Sequence, residues 1–191
     1  MDDYWSKRIK LLVGNNPDEL SEEEYREIVN AILIKAPCKL LIFGCGRDSE
    51  LYQEANKNGL TVFLEHNEEW LRYVQNAITI KVAYGTSLAK KWEYRHIENV
   101  PEWVKDISWD IIFVDAPEGY APHLYGRLSS IKMASEGCRK GIIFVHDMHR
   151  ENEGHFTARY LGSPTKLVGV LGVWERQGFL GKLMNRLRQI E

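Results

Sequence analysis

Four short, continuous apolar runs, at 39–43, 61–64, 110–114 and 141–145, constrain this chain more than any other feature. Each has the length of a strand, and none alternates polar with apolar. That pattern belongs to parallel strands covered on both faces, and the amphipathic stretches between the runs supply the covering helices. The expected architecture is α/β, a doubly wound and mostly parallel sheet. Helices are expected near 48–58, 67–77, 86–96, 122–138 and 150–161, with weaker strands near 80–84 and 167–174.

Ahead of the first run, Ser21 and Glu24 form a capping box, and Leu20 with Tyr25 can close a hydrophobic staple around it. Tyr25, Ile28, Val29, Ile32 and Ala36 then recur at helical spacing until Pro37 ends the segment. Residues 1–37 thus read as an N-terminal helical extension. With no internal repeat, low-complexity tract or linker, 1–191 is expected to be one domain. In the tail, Phe179, Leu183, Met184, Leu187 and Ile190 share one helical face. It is expected to pack on its own domain or on a second copy in a homo-oligomer, ahead of lying on a membrane surface.

Charge narrows the partners. Lys and Arg number 25 against 27 Asp and Glu, so no bulk positive field draws the chain to nucleic acid, and a small-molecule or saccharide partner is expected. Cys38, Cys45 and Cys138 are an odd set without the paired spacing of a zinc or redox motif. No apolar run approaches the roughly 20 residues of a bilayer span, and the N-terminus lacks a signal-type apolar stretch. The expectation is a soluble, cytoplasmic protein.

The chemistry-bearing residues fall at the ends of the runs. Phe43-Gly44-Cys45-Gly46 follows the first, where glycines let backbone approach a ligand and the next helix offers its amides. Arg47-Asp48-Ser49 replaces the third glycine of a dinucleotide fingerprint, which favours a cofactor without phosphates over a nicotinamide dinucleotide. Glu65 ends the second run 19 residues beyond Gly46, close to the spacing at which an acid meets ribose hydroxyls. Asp115 follows the third run and His146-Asp147 the fourth, at the sheet edge where open α/β folds keep their ligands. These three could transfer protons or hold a divalent ion. Capping or loop hydrogen bonding competes for each of them. His66, His96, His123, His149 and His155 show no metal spacing and read by default as surface or structural groups, and Trp70, Trp92 and Trp109 as packing residues.

Taken in order, Phe43-Gly44-Cys45-Gly46-Arg47-Asp48-Ser49, Phe63-Leu64-Glu65, Tyr84-Gly85-Thr86, Trp109 through Tyr120, Gly126-Arg127 and Val145-His146-Asp147 with Arg150 resemble the glucuronoxylan 4-O-methyltransferases and related polysaccharide-biosynthesis proteins of plant cell walls. The likeness runs from about residue 40 to 161. It implies a Rossmann-like methyltransferase fold, S-adenosylmethionine as donor and a sugar hydroxyl, foremost the 4-hydroxyl of a glucuronic acid, as acceptor. A divalent metal is a further implication. By matching position, Phe43, Gly44, Cys45, Gly46, Glu65, Thr86 and Asp115 would hold the donor. Asp115 would be the base, with His146 and Asp147 as alternative bases or metal ligands. Arg127 and Arg150, whose guanidinium forks match a carboxylate, together with Tyr120 and His149 would meet the acceptor. The chain departs from the family in having Glu118 where a basic residue is usual and in lacking the Golgi anchor and stem, which suggests a short prokaryotic relative. A methyltransferase for a small natural product or amine, and a non-catalytic polysaccharide-biosynthesis scaffold, are the rival readings.

Overall fold

The computed structural model describes residues 1–176 except 76, 86, 91 and 92. Thr86 and the amphipathic 179–190 segment therefore lie outside the described residues. Two helices lead in, α1 (Asp3–Asn15) and α2 (Glu22–Lys35). The capping box forms as expected: the Ser21 hydroxyl accepts from the Glu24 amide and the Glu24 carboxylate accepts from the Ser21 amide. Leu20 and Tyr25 are both buried in one apolar cluster, with Ile28, Val29 and Ile32 on the same helix face.

The apolar runs become β1 (Lys39–Phe43), β2 (Leu60–Glu65), β4 (Ile111–Val114) and β5 (Gly141–Val145). With β3 (Ile78–Lys81), β6 (Lys166–Val168) and β7 (Leu171–Arg176) they form one seven-stranded sheet in the order β3-β2-β1-β4-β5-β7-β6. The first five strands in that order pair in parallel, while β7 runs antiparallel to both β5 and β6. The single strand expected at 167–174 is thus a hairpin, turned at Gly169 with φ +56°. Two buried apolar clusters, one on each face, account for the unbroken hydrophobicity of the central strands.

Helices α3 (Ser49–Ala55), α4 (Glu68–Leu71), α5 (Glu102–Asp106), α6 (Leu128–Gly137) and α7 (Glu151–Tyr160) connect the strands. Three differ from expectation. α4 is a single turn that fully buries no residue; its Asn67 cap and the Glu68–Lys81 ion pair hold it at the surface. In place of a helix over 86–96 the described residues show a 3-10 turn, Leu88–Lys90, whose Leu88 and Ala89 amides bond to the carbonyls of Leu124 and Pro122. Those same bonds hold 121–127 as loop, so α6 starts at Leu128 and not near 122. α5, opened by Pro101, has too few residues to show a sequence period.

The reversal point of the sheet lies between β1 and β4, which places both strand ends beside one crevice.

Candidate active site

A cavity of about 350 Å³ opens at the carboxyl ends of β1, β2, β4 and β5. Gly44, Cys45, Gly46, Glu65, Asp115, Tyr120, Arg127, His146, Asp147 and Arg150 all reach it, so the fold brings most of the expected residues to one place. Phe43 does not line it: its side chain is in the core, and its carbonyl accepts the Asp115 amide, fixing β4 against β1. His149 is exposed and stands apart from the cavity wall.

Gly44 has φ +113°, and a β-carbon there would come 3.2 Å from that of Ala116. A side chain would both strain the backbone and press into the β4 loop, so the turn requires glycine. Gly46 donates its amide to the Ser49 hydroxyl at the start of α3. Glu65 closes the loop from the other side, accepting from the amides of Cys45 (2.9 Å) and Asn67 (2.6 Å). It is almost fully buried, yet a carboxylate has further lone pairs with which to accept ribose hydroxyls.

At the floor, five charged side chains interlock. His146 Nδ1 lies 3.0 Å from Asp115 Oδ1 and 3.7 Å from Asp147 Oδ2. The guanidinium of Arg127, 3% exposed, bridges Asp115 (3.3 Å) and Asp147 (2.8 Å) and donates to the carbonyls of Pro117 and His146. Arg150 holds Asp147 from outside at 2.9 Å. Asp147 sits at φ +62°, a conformation that Asp tolerates better than most residues. Burial opposes the charge on Asp115, but the His146 hydrogen bond and the His146, Arg127 and Arg150 charges outweigh it and hold its carboxyl below the ordinary range. Burial likewise opposes the charged form of His146, and the Asp115 hydrogen bond and the two carboxylates overcome it, leaving the imidazole more basic than usual.

Asp115, His146 and Asp147 offer ligand atoms within 4.8 Å of one another, a donor set that suits a divalent ion. The guanidinium between the two carboxylates already supplies the compensating cation. A metal does not fit this arrangement without expelling Arg127. The glycine cradle, the acid at the end of β2 and the size of the cavity do fit a sulfonium nucleoside donor.

One residue of the cavity reads differently in three dimensions. His66, by default a surface histidine, lies 3.0 Å from Glu65 and 3.3 Å from Glu118, edge-on to the rings of Tyr84 and Tyr125. The neighbouring carboxylates of Glu118, then Glu65, raise it to about 9, although its buried Nδ1 makes no aligned hydrogen bond among the described residues. Its signal was its place: it directly follows a strand end at the ligand-bearing edge.

The strand order and the cavity at its reversal point define the α/β fold of the S-adenosylmethionine-dependent methyltransferases. Two solved structures share it: a TehB-like S-adenosylmethionine-dependent methyltransferase from Corynebacterium glutamicum (TM-score 0.53, 12% identity, 92% of this chain and 97% of that one) and a methyltransferase from Geobacter sulfurreducens (TM-score 0.53, 11% identity, 93% and 90%). Within that fold the chain belongs to the IRX15/IRX15L/GXM family, whose model matches residues 23–95 and 87–174. Arabinogalactan O-methyltransferase 2 of Arabidopsis thaliana is 32% identical over 81% of this chain and 65% of its own length. Glucuronoxylan 4-O-methyltransferase 2 of the same plant is 32% identical over 66% and 54%, and its protein IRREGULAR XYLEM 15 is 30% identical over 73% and 55%. The chain spans between about half and two thirds of the length of these relatives.

Proposed function

We propose that this protein is an S-adenosylmethionine-dependent O-methyltransferase acting on a saccharide hydroxyl. The Asp115–His146 pair, at the floor of a cavity whose wall is the glycine loop and Glu65, carries the reading. The O-methyltransferase names of the arabinogalactan and glucuronoxylan relatives support it and point to a polysaccharide or a fragment of one as acceptor.

The bound donor supplies an electrophilic methyl group, which leaves the protein to position an acceptor oxygen and take its proton. His146 is the proton acceptor in this reading. Its Nδ1 is committed to Asp115, which fixes the ring and stabilises the imidazolium, and Nε2 remains for the acceptor hydroxyl. Asp115, its carboxyl held ionised by three cationic neighbours, serves better as that anchor than as the base itself. Because only neutral imidazole accepts a proton and His146 is raised above 6.5, transfer should rise with pH through that elevated value. Glu65 would bind the ribose hydroxyls, and the Gly44 turn lets the donor approach the backbone.

The family likeness directs attention first to the 4-hydroxyl of a glucuronic acid. Arg127 is held by four protein oxygens, whereas Arg150 commits Nη1 alone to Asp147 and the Glu118 carbonyl, so of the two it is Arg150 that keeps donors for such a carboxylate. Transfer of labelled methyl from S-adenosylmethionine to a panel of saccharides tests the proposal. Methylated sugar supports it; donor binding without transfer to any sugar would favour a small-molecule acceptor, and absence of donor binding the scaffold reading.

A further inference from the structure

The cavity at the carboxyl edge is small for two ligands. Its volume of about 350 Å³ is at the low end of small-ligand sites, and a nucleoside donor seated against Glu65 and the Gly44 turn takes most of it. One ring of a saccharide can reach the floor, and the rest of a chain has to leave over the rim. Across that rim lies a second cavity of about 380 Å³, and Tyr120 and Arg150 belong to both walls. Leu88, Ala121 and Pro122 give it an apolar side, Asn152 and Arg150 a polar one. Arg150 meets protein oxygens through Nη1, which leaves the rest of its guanidinium fork to the passage between the cavities.

The loop that forms the rim is braced on both sides of Tyr120. Ahead of it, the Pro117 carbonyl accepts from Arg127, the Glu118 carbonyl accepts from Arg150, and the Gly119 amide donates to the Tyr125 carbonyl at 3.1 Å. Behind it, the Pro122 carbonyl accepts the Ala89 amide at 2.9 Å. Gly119 turns at φ +65°, where a β-carbon would come 3.0 Å from Glu153 Oε1, so the bend that leads into Tyr120 requires glycine. The backbone is held, yet the Tyr120 side chain is 71% exposed. A single exposed aromatic is ordinary on any surface. One carried on a braced loop at the boundary of two cavities offers a flat apolar area at little cost in conformational entropy, and the C–H face of a pyranose matches it while the hydroxyl rim of the sugar meets the polar side.

We infer that the second cavity is a subsite for the sugar ring next to the one methylated, with Tyr120 as the platform between them, so that the acceptor is recognised as a chain and not as a single sugar. The inference rests on the methyltransferase reading for what the first cavity does, but its ground is the pair of cavities and the aromatic side chain they share. A monosaccharide would occupy the floor alone and forgo every contact beyond Tyr120. The consequence is a dependence on chain length, which a site for a small natural product or an amine would not show.

Titrations of the full chain followed by saturation-transfer NMR decide it, with S-adenosylhomocysteine present. The probes are methyl glucuronide, which has a single ring, and glucuronic-acid-bearing oligosaccharides of increasing length cut from glucuronoxylan and from arabinogalactan. In at least one series, affinity should rise roughly five- to tenfold over the single ring as neighbouring rings are added, and then level off. Tyr120→Ala should bring that ratio close to one, and Tyr120→Phe, which keeps the ring, should preserve it. A ratio near one in both series for the unaltered protein overturns the inference. So does a ratio unmoved by Tyr120→Ala in a variant whose melting curve shows it folded, or no binding of any oligosaccharide. A parallel calorimetric titration with S-adenosylhomocysteine separates the two claims: lost donor binding with the length dependence intact would sink the methyltransferase reading alone, and donor binding without length dependence would sink the inference alone.

Discussion

The two ends of the same parallel strands are built on opposite principles. At the amino edge, buried Asn56 bonds through its side chain to the amide and carbonyl of Cys38 and to the Thr61 hydroxyl, tying the starts of β1 and β2 together. Asp110 accepts the Lys39 amide beside it. At the carboxyl edge, Asp115, Asp147, His146, Arg127 and Arg150 crowd one floor. Just behind them Glu153, with no exposed surface, has no hydrogen-bond partner among the described residues for either carboxylate oxygen. Burial, opposed by Arg127 and Arg150, raises its pKa. Matched hydrogen bonds hold a sheet together; a concentration of charge with buried atoms left over is what a fold keeps for a ligand.

The comparison breaks if a carboxyl-edge substitution acts through stability or an amino-edge one through chemistry. The largest expected effect is Asp115→Asn, which should lower methyl transfer by roughly 10²–10⁴-fold while donor affinity, read by calorimetry, stays nearly constant. Retained turnover would remove the pair from the chemistry. Asn56→Ala should do the reverse. Leaving Cys38 and Thr61 groups buried and unpaired is expected to cost about 2–3 kcal/mol in urea unfolding, with donor binding by the folded fraction unchanged.

Smaller effects sharpen the contrast. Glu65→Gln retains the volume but not the charge, and donor affinity should fall about tenfold in titration, since hydrogen bonds to a carboxylate are worth more than those to an amide. Unaltered affinity would take Glu65 out of the donor site. The His66 contribution to stability has a definite sign. Its pKa is raised to about 9 in the fold, so the stabilisation is complete below the unfolded value near 6.5 and is lost as pH rises through about 9. Melting curves of the protein and of His66→Gln should therefore converge between those limits. Smallest is Ser21→Ala at the α2 cap, about 1 kcal/mol and silent in any activity assay.

The strands were legible because burial on both faces leaves an unbroken apolar run, and α2 because its cap is written in four residues. The hairpin at Gly169, the truncated α4 and the loop over 121–127 were not, since each is decided by partners distant in sequence, such as the Leu88 amide on the Leu124 carbonyl. The same division runs through the site. Gly44, Glu65, Asp115 and His146 follow from their places at strand ends. That Arg127 lies between two carboxylates, and that His66 joins Glu65 to Glu118, depends on side chains meeting across the crevice, for which no spacing rule exists.

If the charged edge is a donor-binding methyltransferase site, the purified protein should bind S-adenosylhomocysteine in a calorimetric titration. One-to-one binding in about the micromolar range is expected, weakened by Glu65→Gln and indifferent to Asn56→Ala. A flat titration with folded protein would contradict it.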